Sequence, residues 1–290
     1  MPEGDTVWLA GQRLNQALAG SPLLRTDFRV PSLAEVDLTG RVVGEVVSRG
    51  KHLLIRIPDA DGSPSLTIHT HFRMDGSWHL YRSGESWKGG SQWQIRVVLR
   101  TEQWLAVGYR LPVLELLPTA DELNVVGHLG PDLLGPDWDL AQAVARLASQ
   151  PDAELGLALL DQRNLAGIGN LYKTEICFLA GVSPWITVGE VLNDLPRIVS
   201  IAKRLLDINK DRVVQSTTGD LQRGRWHWAF ERTGQPCRRC GSRVLLSHQG
   251  EPPRQRLAYW CPRCQPGPHP GAIERRELGP RPIGRTRYRP

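Results

Sequence analysis

Four of the chain's five cysteines form two close pairs, Cys237-x-x-Cys240 and Cys261-x-x-Cys264, twenty residues apart. Thiolates at this spacing close a tetrahedral site around one structural zinc ion and leave no open position for catalysis. In a chain with no secretory features, zinc fits such pairs better than disulfides do. The fifth, Cys177 in KTEICFLAGV, reads as a buried helix residue rather than a nucleophile. A different chemistry is offered by the opening MPEGDTVW. On one reading Pro2 fills a first-turn slot that needs no N–H, with Glu3 and Asp5 favoured by the helix dipole. On the other, Met1 is removed and Pro2 becomes a free secondary amine with a carboxylic acid beside it. A third stretch, LLDQRNLAGIGNLYKTE at residues 159–175, places Asn170 at the start of a helix, after a Gly167-Ile168-Gly169 turn. Backbone N–H groups and the positive dipole end make such a corner a seat for phosphate. The same turn also serves as a plain helix connection.

Charge narrows the partner. The net charge is +6, unevenly spread. Residues 201–264 carry 13 Lys and Arg against 5 Asp and Glu, and 265–290 carry six Arg against two Glu, which leaves 1–200 at −6. A basic C-terminal third on an acidic remainder suits a polyanion held on one side. No apolar run approaches the roughly 18 residues of a membrane span, and no signal-peptide core opens the chain. A soluble cytoplasmic protein without membrane contact is expected.

These residues need elements to position them. An amphipathic helix opens the chain, and residues 21–118 read as β. GRVVGEVVSRGKHLLIRI at 40–57 gives two strands around an Arg49-Gly50 turn, and SLTIHTHFRM and QWQIRVVLRTEQWLAVG supply more. The spacing predicts an antiparallel sandwich or barrel carrying the N-terminal helix. Residues 119–136 have the Gly, Pro and polar mix of a linker. Helices follow: Asp137 is placed to cap DWDLAQAVARLAS, PDAELGLALLDQ begins another, and LPRIVSIAKRLLDINKDRVV gives a long one. The domains expected are 1–118, the linker 119–136, a helical domain at 137–225, a four-cysteine finger at 226–264 and a disordered Pro/Gly/Arg tail at 265–290.

In order, the chain carries Pro-Glu-Gly at 2–4, a hairpin lysine in RGKHLL, LLDQ-x-x-x-AGIGN-x-Y-x-x-E, and a terminal C-x-x-C…QR-x-x-YWC-x-x-C. Together these resemble the formamidopyrimidine-DNA glycosylase/endonuclease VIII family of bifunctional DNA repair enzymes, over about residues 2–264. The resemblance implies an α+β fold, with an N-terminal helix on a β-sandwich, a helix-two-turn-helix domain and a zinc finger whose hairpin grips damaged or abasic DNA. It selects the second reading of Pro2. An α-amino group titrates near 8, so a useful fraction is uncharged at neutral pH, and its attack on the sugar C1′ needs no cofactor. By resemblance Glu3 protonates the deoxyribose ring oxygen and Lys51 lies at the active-site mouth on phosphate. Asn170 and Arg256 clamp the backbone around the extruded nucleotide. Met74, with Arg73 beside it, is the apolar wedge for the vacated gap.

The chain also departs from the family. Asp75 stands where relatives of endonuclease VIII carry an aromatic residue, and VGYRLP lacks the Arg-x-Phe wedge of the purine branch. The span between cysteine pairs is long, EPPRQR reads as an extended hairpin tip, and the arginine tail is extra. Pro-Glu-Gly-Asp-Thr-Val resembles the endonuclease VIII branch, which implies release of oxidised pyrimidines by a monomer, followed by β,δ-elimination. Excision of oxidised purines (8-oxoguanine, formamidopyrimidine) is the alternative substrate class. The rivals of other classes are a non-catalytic zinc-ribbon DNA-binding protein and an RNA-directed module.

Overall fold

The computed structural model describes residues 2–60, 62–82 and 84–273, and the chain divides into two compact units after His128.

In the first unit, α1 (Gly4–Leu18) buries Val7, Gly11, Leu14 and Leu18, a stripe at helical spacing. Eight strands follow: β1 (Arg25–Phe28), β2 (Glu45–Arg49), β3 (His52–Ile57), β4 (Leu66–His71), β5 (Ser77–Arg82), β6 (Ile95–Arg100), β7 (Trp104–Tyr109) and β8 (Val113–Pro118). They form two antiparallel four-stranded sheets, ordered β1-β6-β7-β5 and β2-β3-β4-β8. Alternation sends Leu53, Ile55 and Ile57 into one core with Val97, Leu99, Phe28 and the α1 stripe. Each such side chain, fully buried, contributes about 1.5–3 kcal/mol. The sandwich expected from the strand spacing is thus present, with α1 packed on β2.

The expected linker is more ordered than its composition suggests. A 3-10 turn at Thr119–Asp121 leads into α2 (Glu122–Val126). The reason is one side chain: the Glu122 carboxylate accepts two bonds from Arg56, at 2.6 and 2.8 Å, and one from the Thr67 hydroxyl at 2.6 Å. This ties the stretch to the outer face of β3 and β4.

The second unit holds α3 (Leu140–Ala148), α4 (Leu155–Leu160), α5 (Asn170–Ala180), α6 (Leu195–Asn209) and a hairpin of β9 (Leu245–Gln249) and β10 (Arg256–Trp260). The cap of α3 is Asp139, whose carboxylate accepts from the Gln142 N–H at 3.0 Å, not Asp137. Helix α5 is buried nearly all round, and α6 shows a stripe of Ile198, Ala202, Leu205 and Leu206. Of the expected disordered tail, residues 265–273 run along the finger. The Ile273 N–H donates to the Leu246 carbonyl at 2.8 Å, and the His269 ring meets Trp260. Residues 274–290 lie outside the described residues, as does Met1. Among the described residues no helix is long and apolar enough to cross a membrane.

Candidate DNA-processing site

The start of the chain sets Pro2 directly before a buried acid. Pro2 is half-buried, and Glu3 is the N-cap of α1, fully buried at 0% exposure. The Glu3 carbonyl accepts the Val7 N–H at 3.1 Å, but its side chain makes no capping bond. A carboxyl buried this deeply is held out of water directly beside Pro2.

The β2–β3 turn is Gly50–Lys51, closed by the Arg49–His52 register pair, so Lys51 belongs to the turn and is half-buried. Sequence reasoning missed the residues beside it. His52 and His71 are cross-strand partners with ring centroids 4.8 Å apart, and His69 lies 2.8 Å from His52. Burial, then His71 and His69, pushes His52 down to about 3; burial, then Lys51 and Arg73, pushes His71 down to about 4. Two neutral imidazoles thus border the hairpin lysine. The available signal was the period-two placement of histidine in IHTHF, which puts His69 and His71 on one sheet face.

The β4–β5 loop carries Arg73, held at φ 46°, and Met74, which is 62% exposed. They line an open groove of about 430 Å³ with Arg96 and Arg110. The Arg110 guanidinium donates to the Asp75 carbonyl at 3.1 Å and to Gln94 Oε1 at 2.9 Å, clasping the two loops together. Leu111 is buried, so the exposed apolar side chains of this groove are Met74 and Pro112, of which Met74 is the long, flexible one.

In the second unit, Asn170 opens α5 after Gly167, whose φ of 113° suits glycine alone. The Gln162 side chain braces the turn by donating to the Leu160 and Ile168 carbonyls, at 2.7 and 3.0 Å, and accepting the Gly167 N–H at 3.0 Å. Asn170 Oδ1 is buried with no hydrogen-bond partner among the described residues. Arg256 is exposed at the start of β10, directly across from Gln249. One turn beyond Asn170, the fully buried Lys173 donates to Gln249 Oε1 at 3.1 Å and to the Leu257 carbonyl at 3.4 Å. Gln249 in turn donates to Glu154 and the Pro184 carbonyl, at 2.9 and 2.8 Å. Gly156 leaves space for it: a Cβ there would meet the Gln249 amide at 2.5 Å. Glu175 accepts the N–H groups of Trp228, Ala229 and Phe230, each at 2.8 Å, and the Thr217 hydroxyl. The last residue of the AGIGN-x-Y-x-x-E motif is thus a latch for the segment that enters the finger.

The four paired cysteines bring their sulfurs within 4.8 Å of one another. Sulfurs around zinc at about 2.3 Å stand roughly 3.8 Å apart, whereas a disulfide needs about 2.05 Å. The Cys240–Cys261 and Cys237–Cys264 separations of 3.4 and 3.9 Å match the metal arrangement. Cys177 is buried, with its thiol pushed up to about 12 by that burial, and stands apart from this chemistry.

The N-terminal domain model of formamidopyrimidine-DNA glycosylase matches residues 1–109, and that enzyme's H2TH domain model matches residues 129–216. The chain belongs to the formamidopyrimidine-DNA glycosylase/endonuclease VIII family. It is 54% identical to a probable endonuclease 8 2 of Streptomyces coelicolor, over 100% of this chain and 99% of that protein. It is 45% identical to the DNA-(apurinic or apyrimidinic site) lyase Nei2 of Mycolicibacterium smegmatis, over 91% of this chain and 99% of the other. Among solved structures, Lactococcus lactis Fpg with N7-benzyl-Fapy-dG DNA covers 92% of this chain and 100% of its own, at a TM-score of 0.73 and 20% identity. That likeness extends the family's fold through the finger. The family is one of DNA glycosylases that also cleave abasic sites, so the chain is a DNA repair enzyme.

Proposed function

We propose that this enzyme removes oxidised pyrimidines from DNA through a Schiff base on Pro2 and cuts the strand by β,δ-elimination. The observation that carries the reading is the fully buried Glu3 carboxyl immediately after Pro2 at the start of α1. With Met1 removed, Pro2 is a secondary amine of near-neutral basicity, able to attack C1′ while partly uncharged. Glu3 gives a proton to the ring oxygen, the sugar opens, and C1′ becomes an iminium carbon as the base departs. A carboxyl out of water is suited to hold that proton near neutral pH. The iminium acidifies C2′–H, and elimination expels first the 3′ and then the 5′ phosphate. Lys51 pairs with phosphate at the hairpin, Asn170 and Arg256 clamp the backbone, and Met74 fills the gap left by the extruded base, flanked by Arg73. Cys237, Cys240, Cys261 and Cys264 hold one zinc ion, whose contribution is to fold the finger. The pyrimidine preference rests on the Pro-Glu-Gly-Asp-Thr-Val opening and on relatives that bear the endonuclease 8 name.

Borohydride trapping on abasic duplex DNA tests the chemistry. The native protein is expected to give a covalent adduct, and Pro2→Gly only a weak one; no adduct under any condition favours a DNA-binding protein without catalysis. Intact mass must show a chain lacking Met1. Duplexes with thymine glycol, dihydrouracil or 8-oxoguanine decide the substrate, and excision of 8-oxoguanine alone overturns the pyrimidine assignment.

A further inference from the structure

Among the described residues, three that are not glycine hold a positive φ, and two of them line the Met74 groove: Arg73 at 46° and Arg110 at 49°. A left-handed backbone is unfavourable for side chains of this size and persists only where neighbours fix it. Each is fixed through its own N–H. That of Arg73 donates to His71 Nδ1 at 3.0 Å, and that of Arg110 to the Gln94 carbonyl at 2.7 Å.

The turn that carries Met74 is tied on both sides of it. The Gly76 N–H donates to the Phe72 carbonyl at 2.8 Å, and a Cβ on Gly76 would stand 2.7 Å from that same oxygen, so the turn closes with glycine alone. Between these ends the Asp75 carbonyl accepts from Arg110 Nε at 3.1 Å. A terminal nitrogen of the same guanidinium reaches Gln94 Oε1 at 2.9 Å and the Gly89 carbonyl at 3.4 Å. Gln94 belongs to a braced turn of its own, a capping box in which its Oε1 also accepts the Ser91 N–H at 3.1 Å. Arg110 therefore bridges the Met74 turn to a second fixed turn. A planar fork can span such separated acceptors; the point charge of a lysine cannot.

Stiffness matters here because of what Met74 is asked to do. An apolar side chain that enters a base stack is pushed back by the stacked pairs, and a turn that yields does not help the damaged nucleotide to leave. Met74 is 62% exposed, so its own packing does not hold it and its backbone must.

We propose that Arg110 is the positioning residue of the Met74 wedge: it stays out of the DNA and stiffens the turn, so that extraction of the damaged base depends on it. The proposal rests on the reading of Met74 as the residue that fills the vacated gap.

The first test needs no DNA. Hydrogen exchange at the Arg73 and Gly76 amides reports the closure of the turn. Arg110→Gln should speed both at least about tenfold, while the amides of β3 keep their native rates and show that the sandwich is folded. Arg110→Lys keeps the charge but not the bridge, and should speed them as well. Native exchange in either variant overturns the proposal.

The second test is single-turnover excision of dihydrouracil from matched duplex, divided by cleavage of abasic duplex with the same preparation. An abasic site has no base to extract, so the ratio should fall about tenfold in both Arg110 variants. Met74→Ala should lower it by as much, and Met74→Ala combined with Arg110→Lys no further. Losses that multiply would give Arg110 a contact with DNA of its own and overturn the proposal. The wedge itself is read separately. Met1 and Met74 are the chain's two methionines, so in protein lacking Met1 a methyl-carbon-13 methionine label gives one resonance. That resonance should shift when an abasic-analogue duplex binds. A resonance that bound DNA leaves in place removes the wedge reading and the extraction role with it, whereas native exchange rates remove the stiffening alone.

Discussion

The two units bury charge in opposite ways. In the second, Lys173 and Glu175 are sealed inside α5, and their polar atoms are spent on the backbone and amide groups of neighbouring segments. In the first, Glu3 is equally sealed yet makes no capping bond, and the histidines around Lys51 are held neutral. Buried charges fully consumed by architecture fix distances between other residues, here Asn170 and Arg256. Those of the first unit adjoin Pro2 and Lys51, the residues proposed to act on the sugar and its phosphate. Variants in the second unit should therefore change DNA affinity, and variants in the first should change the chemical step.

The largest effect expected in the second unit follows zinc removal. Chelation takes away the tie among four sulfurs, and structural zinc contributes folding energy outright. DNA affinity should fall by at least about 100-fold and return with added zinc, measured by anisotropy on an abasic-analogue duplex. Unchanged affinity in metal-free protein would detach the finger from binding. The matching effect in the first unit is Glu3→Gln. It removes the proton but keeps the shape, so base excision at saturating DNA should slow by about 10²- to 10⁴-fold with little change in affinity. A loss seen only in KM would place Glu3 among the binding groups and erase the contrast.

Lys173→Met sharpens the comparison at a smaller scale. Its stem still fills the same space, but Gln249 Oε1 and the Leu257 carbonyl lose their donor, and both lie beside Arg256. Binding should weaken about tenfold, in line with one buried charge-assisted bond. The maximal rate should stay within about twofold, and Lys173→Arg should restore part of the affinity. A fall in maximal rate at constant affinity would show that α5 does more than set a distance.

What the sequence disclosed divides along the same line. Local signals were readable: the paired cysteines, the α1 stripe, the strand alternation and the Gly167 turn all depend on neighbours within a few residues. Small local errors arose where two candidates stood close together. Asp139 rather than Asp137 caps α3, and the hairpin turn is Gly50–Lys51 rather than Arg49-Gly50. The ordering of 119–128 depends on Arg56 and Thr67, more than 50 residues earlier, and composition carries no trace of that pairing. His52, His69 and Glu115 are likewise brought together only by strand register. Lys173 and Glu175 would be placed on a helix surface by type alone; their burial follows from α5 being enclosed on all sides, a property of the packed unit.

The smallest effect is one of stability, and it isolates the muted charge beside Lys51. Burial, followed by Lys51 and Arg73, holds His71 near 4 in the folded protein, whereas an unfolded histidine titrates near 6.5. Above pH 6.5 neither state binds the proton, and His71 adds no pH dependence. Below it the unfolded chain takes up a proton that the folded chain refuses, so stability falls as the pH drops from 6.5 towards 4. One such group accounts for about 1.4 kcal/mol per pH unit, no more than about 3 kcal/mol over that window. His71→Leu should flatten this part of the curve in urea unfolding at pH 7, 6, 5 and 4, and leave the second unit's transition in place. An equally steep curve in the variant would mean that His71 is not the group refusing the proton. The sheet face beside Lys51 would then tolerate charge as readily as the surface does, and the distinction between the two units would rest on Glu3 alone.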